Sequence, residues 1–262
     1  MHPDCRKIRR DILIASRASG HGHIPTSFSI VEMLYATYRA LKHDPANPAA
    51  ADRDIFILSK GHGALGYYCV LANEGYFPVD DVKTFGAYLS KYGCHPDRRK
   101  VPGVEASTGS LGHGIGIAVG MALAFKLQRL PRRVFTLIGD GEANEGSTWE
   151  AIMVAVNLGL PNLTILLDFN RSQVRSLQIP NPAERLKAFG CDVHDVGGHD
   201  VAELLAALQA PARGVKAIVA NTIKGYGCRT MEENMFEWHR KSPDAAQYDA
   251  LLRELDAGGA AA

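Results

Sequence analysis

Residues 134–170 read VFTLIGDGEANEGSTWEAIMVAVNLGLPNLTILLDFN, and this stretch decides the fold. Val134 to Gly139 is a short apolar run closed by Gly-Asp-Gly, and Leu163 to Asp168 is another, closed by Asp-Phe-Asn. Runs this short and this apolar predict parallel strands buried on both faces. Between them Ile152, Ala155 and Val156 at helical spacing predict one helix from about Glu145 to Leu158, with acidic residues in its first turn and Gly159 as a stop. The result is a β-α-β unit. Such a unit brings the ends of both strands to one edge of a sheet, where ligands bind in open α/β folds.

Asp140 and Asn170 therefore face one crevice. A carboxylate and a carboxamide are hard oxygen donors suited to Mg²⁺, which commonly takes one or two such side chains together with phosphate oxygens and water. Ca²⁺ or Mn²⁺ would suit the same donors. Gly139 and Gly141 let a backbone approach a ligand closely, and a helix N-terminus just beyond favours negative charge. The pair reads as a site for a metal diphosphate. An ordinary Asp-Gly turn and an Asx loop at Asn170 form the plain alternative.

The composition is that of a globular chain. With 262 residues, 46% of them hydrophobic and 22% charged, one large α/β domain over residues 1–255 is expected, followed by a flexible Gly/Ala tail at 256–262. A net charge of +1 gives no electrostatic case for nucleic acid. The longest apolar run, Gly114 to Phe125, is too short to span a membrane, and MHPDCRKIRRD is not a signal peptide. A cytoplasmic protein is expected. Cys5, Cys69, Cys94, Cys191 and Cys228 are odd in number and form no Cys-x-x-Cys, so they read as reduced thiols.

Taken in order, residues 4–17 predict an amphipathic helix with Ile8, Ile12 and Ala15 on one side and Arg6, Arg9, Arg10 and Arg17 largely on the other. A loop with His21 and His23 in tandem precedes a helix from about Ser27 to Leu41. The strand Asp54-Ile-Phe-Ile-Leu-Ser-Lys runs into Gly-His62-Gly and a helix through Glu74. Pro78 starts a further helix through Tyr88, and Gly93-Cys-His95-Pro is a loop. Ile115 to Leu127 is so rich in small and apolar residues that a helix buried almost all round is expected. Asp200 is expected to cap a helix over Val201 to Leu208, with His199 structural. Val215 to Thr222 is the last strong strand, and Asp244 to Leu255 the last helix.

Several of these segments resemble the transketolases and related thiamine diphosphate enzymes. GDG, a helix and a strand, then Asn thirty residues after the Asp, is similar to their cofactor fingerprint. Asp54 to Ala64 resembles RDRFVLSKGHGA, Ser107 to Gly114 resembles STGSLGQG, His95-Pro resembles Gly-His-Pro, and the stretch from Ile223 to His239 resembles KGKG...MENN..WHG. The likeness covers residues 6–253. It implies a three-layer α/β/α fold with a mostly parallel sheet, the thiamine diphosphate-binding fold. It also implies metal ligation by Asp140, Asn170 and the Ser172 carbonyl, and cofactor contacts at Gly109, Leu111, Gly139, Asp140, Gly141, Asn170, Val174 and Ile223. This chain departs from the pattern at Cys94, His113, Gly197 and Arg240.

Four histidines on separate strand-end loops suit a substrate rich in hydroxyls, because neutral imidazole both donates and accepts hydrogen bonds. The resemblance implies ketol transfer from a ketose to an aldose. His95 would then hold the donor's hydroxyls, and His23 and His239 the hydroxyl deprotonated during cleavage. His23 aligns with the family motif without a gap; His21 needs an insertion. His62 would support cofactor and donor, and Glu145 would belong to an acidic relay across a dimer interface. The family's activating glutamate lies on a pyrimidine-binding domain, which is expected on a separate polypeptide. The expectation is an N-terminal subunit of a two-component transketolase, paired in an α₂β₂ heterotetramer with a separate C-terminal subunit. Two alternatives stand beside it: the α subunit of a 2-oxoacid dehydrogenase, and a catalytically silent cofactor-binding assembly subunit.

Overall fold

Among the described residues, five strands form one sheet, and all four pairings are parallel. The computed structural model describes residues 1–258. The strands are β1 (Ile55–Leu58), β2 (Val134–Gly139), β3 (Leu163–Phe169), β4 (Asp192–Gly197) and β5 (Lys216–Asn221), in the spatial order β1-β2-β3-β5-β4. β2 is buried along its whole length and β3 along all but its last residue, as their largely apolar runs predict. The register pairs Gly139 with Asp168 and Asp168 with Ala220. Three strand ends therefore open onto the same edge.

Alternation along the strands divides the core. Phe135, Leu137, Leu166 and Ile218 face a cluster built with α1 (Pro3–Ser19), α2 (Ile24–Ser29), α3 (Val31–Ala40), α4 (Ala64–Asn73) and α8 (Val201–Gln209). Val134, Ile138, Ile165 and Val219 face the opposite cluster, with α5 (Gly114–Leu127), α6 (Gly146–Asn157) and α7 (Pro182–Ala188). Period-two burial on both faces is what makes three layers. The chain ends with α9 (Arg229–Glu233) and α10 (Ala245–Asp256), the latter started by a capping box between Asp244 and Gln247. No helix among the described residues is long and apolar enough to cross a membrane. Asp256 is still helical and Ala257 and Gly258 lie in a turn, while residues 259–262 of the expected tail lie outside the described residues.

Several local expectations give way to tertiary packing. The helix expected from Ser27 to Leu41 is two helices, broken at Ile30, whose φ of −107° and ψ of 4° are not helical. The helix expected from Pro78 to Tyr88 is only a 3₁₀ turn, Val79–Thr84, after which Gly86 and Leu89 take positive φ. α6 starts at Gly146 with Glu145 extended as its N-cap, and its first turn holds no acid; Glu142 lies in a separate 3₁₀ turn before it. α5 is not buried all round, since Gly116, Ile117 and Gly120 form an exposed stripe. Arg9 is not on the solvent side of α1. It is fully buried, with Nη1 2.5 Å and Nη2 2.7 Å from the Glu32 carboxylate and Nη2 2.8 Å from the Phe28 carbonyl. A charge is tolerated there because its partner and hydrogen bonds are buried with it.

Candidate active site

The strand ends open into a cavity of about 590 Å³ at the C-terminal edge of the sheet. Its floor comes from the turns after β2 and β3. Asp140 accepts hydrogen bonds at Oδ1 from the Gly141 N–H (2.7 Å) and the Ser172 hydroxyl (2.8 Å), while its Oδ2 is buried with no hydrogen-bond partner among the described residues. Asn170 accepts from the Ser172 N–H at Oδ1 (3.0 Å) and donates through Nδ2 to Asp168 (2.8 Å). The structure thus brings the three expected metal-holding residues together. Burial, reinforced by the negative charge of Asp168, pushes the Asp140 carboxyl above its ordinary range. A buried carboxylate oxygen left without a donor is suited to a cation, so the residues fit a divalent metal.

Beneath the floor lies a buried polar knot. Burial opposes ionisation of Asp168, but Lys60 and hydrogen bonds from Thr222 and Ser29 outweigh it and hold the carboxyl below its usual range. The same carboxylate orients Asn170, so its oxygen is left to face Ser172. Glu142 accepts from the Gly112 N–H (2.9 Å), the Gly139 N–H (3.3 Å) and the Ser59 hydroxyl, tying the turns after β1 and β2 to the start of α5. Burial raises its carboxyl.

The walls carry imidazoles. His23 sits in the left-handed region (φ 66°) just before α2, His62 in the 3₁₀ turn Gly61–Gly63, and His239 in the 3₁₀ turn Glu237–His239. The His23 ring centre is 6.1 Å from that of His62 and 5.5 Å from that of His239. His95 completes the rim, its ring close over Gly109. Burial, with the neighbouring His239 and Arg240, pushes His23 down to about 4; burial and Lys60 push His62 down to about 2. Burial and Lys224 also lower His239. These three rings are neutral at physiological pH, each with one donor and one acceptor nitrogen. His21 points elsewhere, against Phe85 and Gly86.

Of the residues expected from sequence, His23, His62, His95, His239, Gly109, Leu111, Gly139, Asp140, Gly141, Asn170 and Ser172 line this cavity. Glu145, Val174 and Ile223 do not; all three are exposed outside its lining. Sequence reasoning missed Lys60, Thr26, Glu142, Gln173 and Lys224, and left Arg240 unplaced. The available signal was a lysine directly after an apolar strand, at the edge where ligands bind. Lys224 is buried, its Nζ 3.1 Å from His239 Nδ1, and burial together with Lys60 lowers it to about 8.

Residues 5–251 match the family described as transketolase, thiamine diphosphate binding domain. The chain belongs to the transketolase family. An apulose-4-phosphate transketolase subunit of Actinobacillus succinogenes is 40% identical over 259 residues, covering 95% of this chain and 94% of that protein. A 6-deoxy-6-sulfo-D-fructose transketolase subunit of a Clostridium species is 39% identical over 250 residues, covering 92% and 90%. The solved transketolase of Leishmania mexicana superposes with a TM-score of 0.86 at 27% identity, covering 96% of this chain and 40% of that one. This transketolase-family chain therefore matches separate subunits over nearly their full length, and spans about 40% of that longer enzyme. The resemblance drawn from the motifs and the expected fold class are both borne out.

Proposed function

We propose that this chain is the diphosphate-binding subunit of a two-component transketolase that moves a two-carbon ketol unit from a ketose to an aldose. The observation that carries the reading is one cavity with Asp140, Asn170 and Ser172 at its floor and four histidines on its walls. Asp140, Asn170 and the Ser172 carbonyl would hold Mg²⁺ and through it the diphosphate, with Lys224 supplying a nearby positive charge. Bound thiamine diphosphate supplies the electron sink for cleaving the bond next to a ketose carbonyl. His23 and His239 bind and deprotonate the donor hydroxyl, His95 holds the hydroxyl end of the ketose, and His62 steadies the donor. Neutral rings serve this task because each can accept a proton and return it.

A separate partner subunit supplies the rest of the site, and an α₂β₂ assembly is the simplest arrangement. The exposed stripe of Gly116, Ile117 and Gly120 on α5, with Met153 and Val154 exposed on α6, supports a covered face. The donor carries an anionic group. Arg240 lines the cavity with no carboxylate within 4 Å among the described residues, and the two relatives are named for sugars bearing a phosphate and a sulfonate. The five unpaired thiols support a cytoplasmic setting. The test is thiamine diphosphate-dependent cleavage by the chain reconstituted with its partner, comparing ketose phosphates with pyruvate. Ketose cleavage supports the reading; pyruvate decarboxylation alone rejects it.

A further inference from the structure

His199 lies outside the cavity, at the turn after β4, and the proposed chemistry does not use it. Its side chain is 11% exposed. Nδ1 is 3.0 Å from Glu32 Oε2, and Nε2 is 2.8 Å from the backbone N of Ile223. The Ile223 N–H has only a proton to offer, so Nε2 must be the acceptor. Nδ1 then carries the ring hydrogen and donates it to Glu32. Glu32 is an acceptor because Arg9 is paired with it; against the opposing cost of burial, that charge holds its carboxyl down at about 2. The order is Arg9, Glu32, His199, then the Ile223 amide. Each link fixes the proton position of the next.

The end of this relay bears on the cavity. Ile223 directly precedes Lys224, whose ammonium lines the cavity beside His239. The same turn is held at Thr222 by Asp168 and at Gly225, whose N–H donates to the Pro25 carbonyl (3.1 Å) in α2, two residues beyond His23. Tyr226 stacks flat on the His199 ring, with centres 3.7 Å apart, and the Arg9 guanidinium lies 5.1 Å from the Tyr226 ring centre. Of the backbone restraints on the turn among the described residues, the one at Ile223 ends on a ring nitrogen that can gain a proton, whereas Gly225 is held by a carbonyl.

We infer that His199 is a positioning residue for the active site. It sets where the Ile223–Lys224 peptide lies, and so where the Lys224 ammonium meets an anionic ligand, by accepting the Ile223 N–H from a ring oriented by the buried Arg9–Glu32 pair. The inference rests on the proposed reading of the cavity as a diphosphate site. A second proton on the ring turns Nε2 from acceptor to donor and removes the bond to Ile223. Among the described residues, Glu32 on α3 bonds the ring and Tyr226 on the turn stacks on it, while Arg9 on α1 pairs with Glu32 from behind and Cys5 on α1 lies near Glu32.

Two measurements test this, with His199→Ala and the isosteric donor-acceptor variant His199→Gln. In the full chain, the Ile223 amide resonance is compared among the wild type and the two variants. It should shift in His199→Ala, which removes the acceptor, and return towards its wild-type position in His199→Gln. With the partner present, His199→Ala should weaken thiamine diphosphate binding about ten-fold at pH 8, and His199→Gln should restore most of it. An Ile223 amide indifferent to the ring, or equal binding by wild type and His199→Ala, overturns the inference. If the wild-type complex binds no thiamine diphosphate, the proposed function fails, and the Ile223 amide still decides the positioning role.

Discussion

The Ser172 hydroxyl donates to Asp140 Oδ1 at 2.8 Å, joining the turn after β2 to the turn after β3, while Asp140 Oδ2 has no hydrogen-bond partner among the described residues. The two turns are thereby one binding unit. Asp140→Ala removes the oxygen proposed to hold the metal and should weaken thiamine diphosphate binding in the presence of Mg²⁺ by at least about 100-fold, whereas Ser172→Ala removes only an orienting bond and should cost about ten-fold. Calorimetric titration in the presence of the partner checks both, and chelation of the metal should mimic Asp140→Ala.

The Arg9–Glu32 pair makes stability depend on acid. The Glu32 carboxyl lies at about 2 in the fold against an ordinary value of 4.5, so the unfolded chain binds the proton first. Its contribution is present above pH 4.5 and is lost as pH falls towards 2. Glu32→Gln leaves the Arg9 charge buried without a counter-ion and should destabilise the fold by about 3–5 kcal/mol. Urea unfolding at neutral pH and along an acid series measures both effects.

His23 and His62 should remain neutral well below the usual histidine midpoint, with His23 titrating near 4. Below pH 6.5 the unfolded chain takes protons that the folded rings refuse, so folding stability should decline from there, to about pH 4 on account of His23 and on to about pH 2 on account of His62. Ring ¹³C resonances of labelled histidine report it directly; midpoints near 6.5 for both would contradict the buried, neutral wall.

Arg240 lines the cavity beside His23 and His239 and has no ion-pair partner among the described residues. Gly22 touches its backbone: a Cβ there would lie 2.2 Å from the Arg240 carbonyl oxygen, which fixes the residue against the His23 loop. Arg240→Gly should raise KM for a ketose phosphate about ten-fold more than for the same ketose without its phosphate. Equal effects on the two would remove Arg240 from anion recognition.

Much of this was legible in the sequence because burial on both faces writes mainly apolar runs, and β2 and β3 carried theirs with one threonine each, Thr136 and Thr164. Asp140 and Asn170 were found from those strand ends. Arg9 was misplaced because helical periodicity treats every arginine as a solvent residue, and only a partner 23 positions away reverses that. α5 looked buried all round because composition cannot separate a core helix from one with an uncovered apolar stripe. Lys60 and Lys224 escaped because their places depend on Asp168 and His239, contacts between distant strand ends that spacing does not encode.

The central claim is that this chain holds half of a shared site. Ketol transfer from a ketose phosphate should be measured for the chain alone, its partner alone and the two mixed, each with thiamine diphosphate and Mg²⁺. Turnover is expected only in the mixture. Strong turnover by the isolated chain would contradict it.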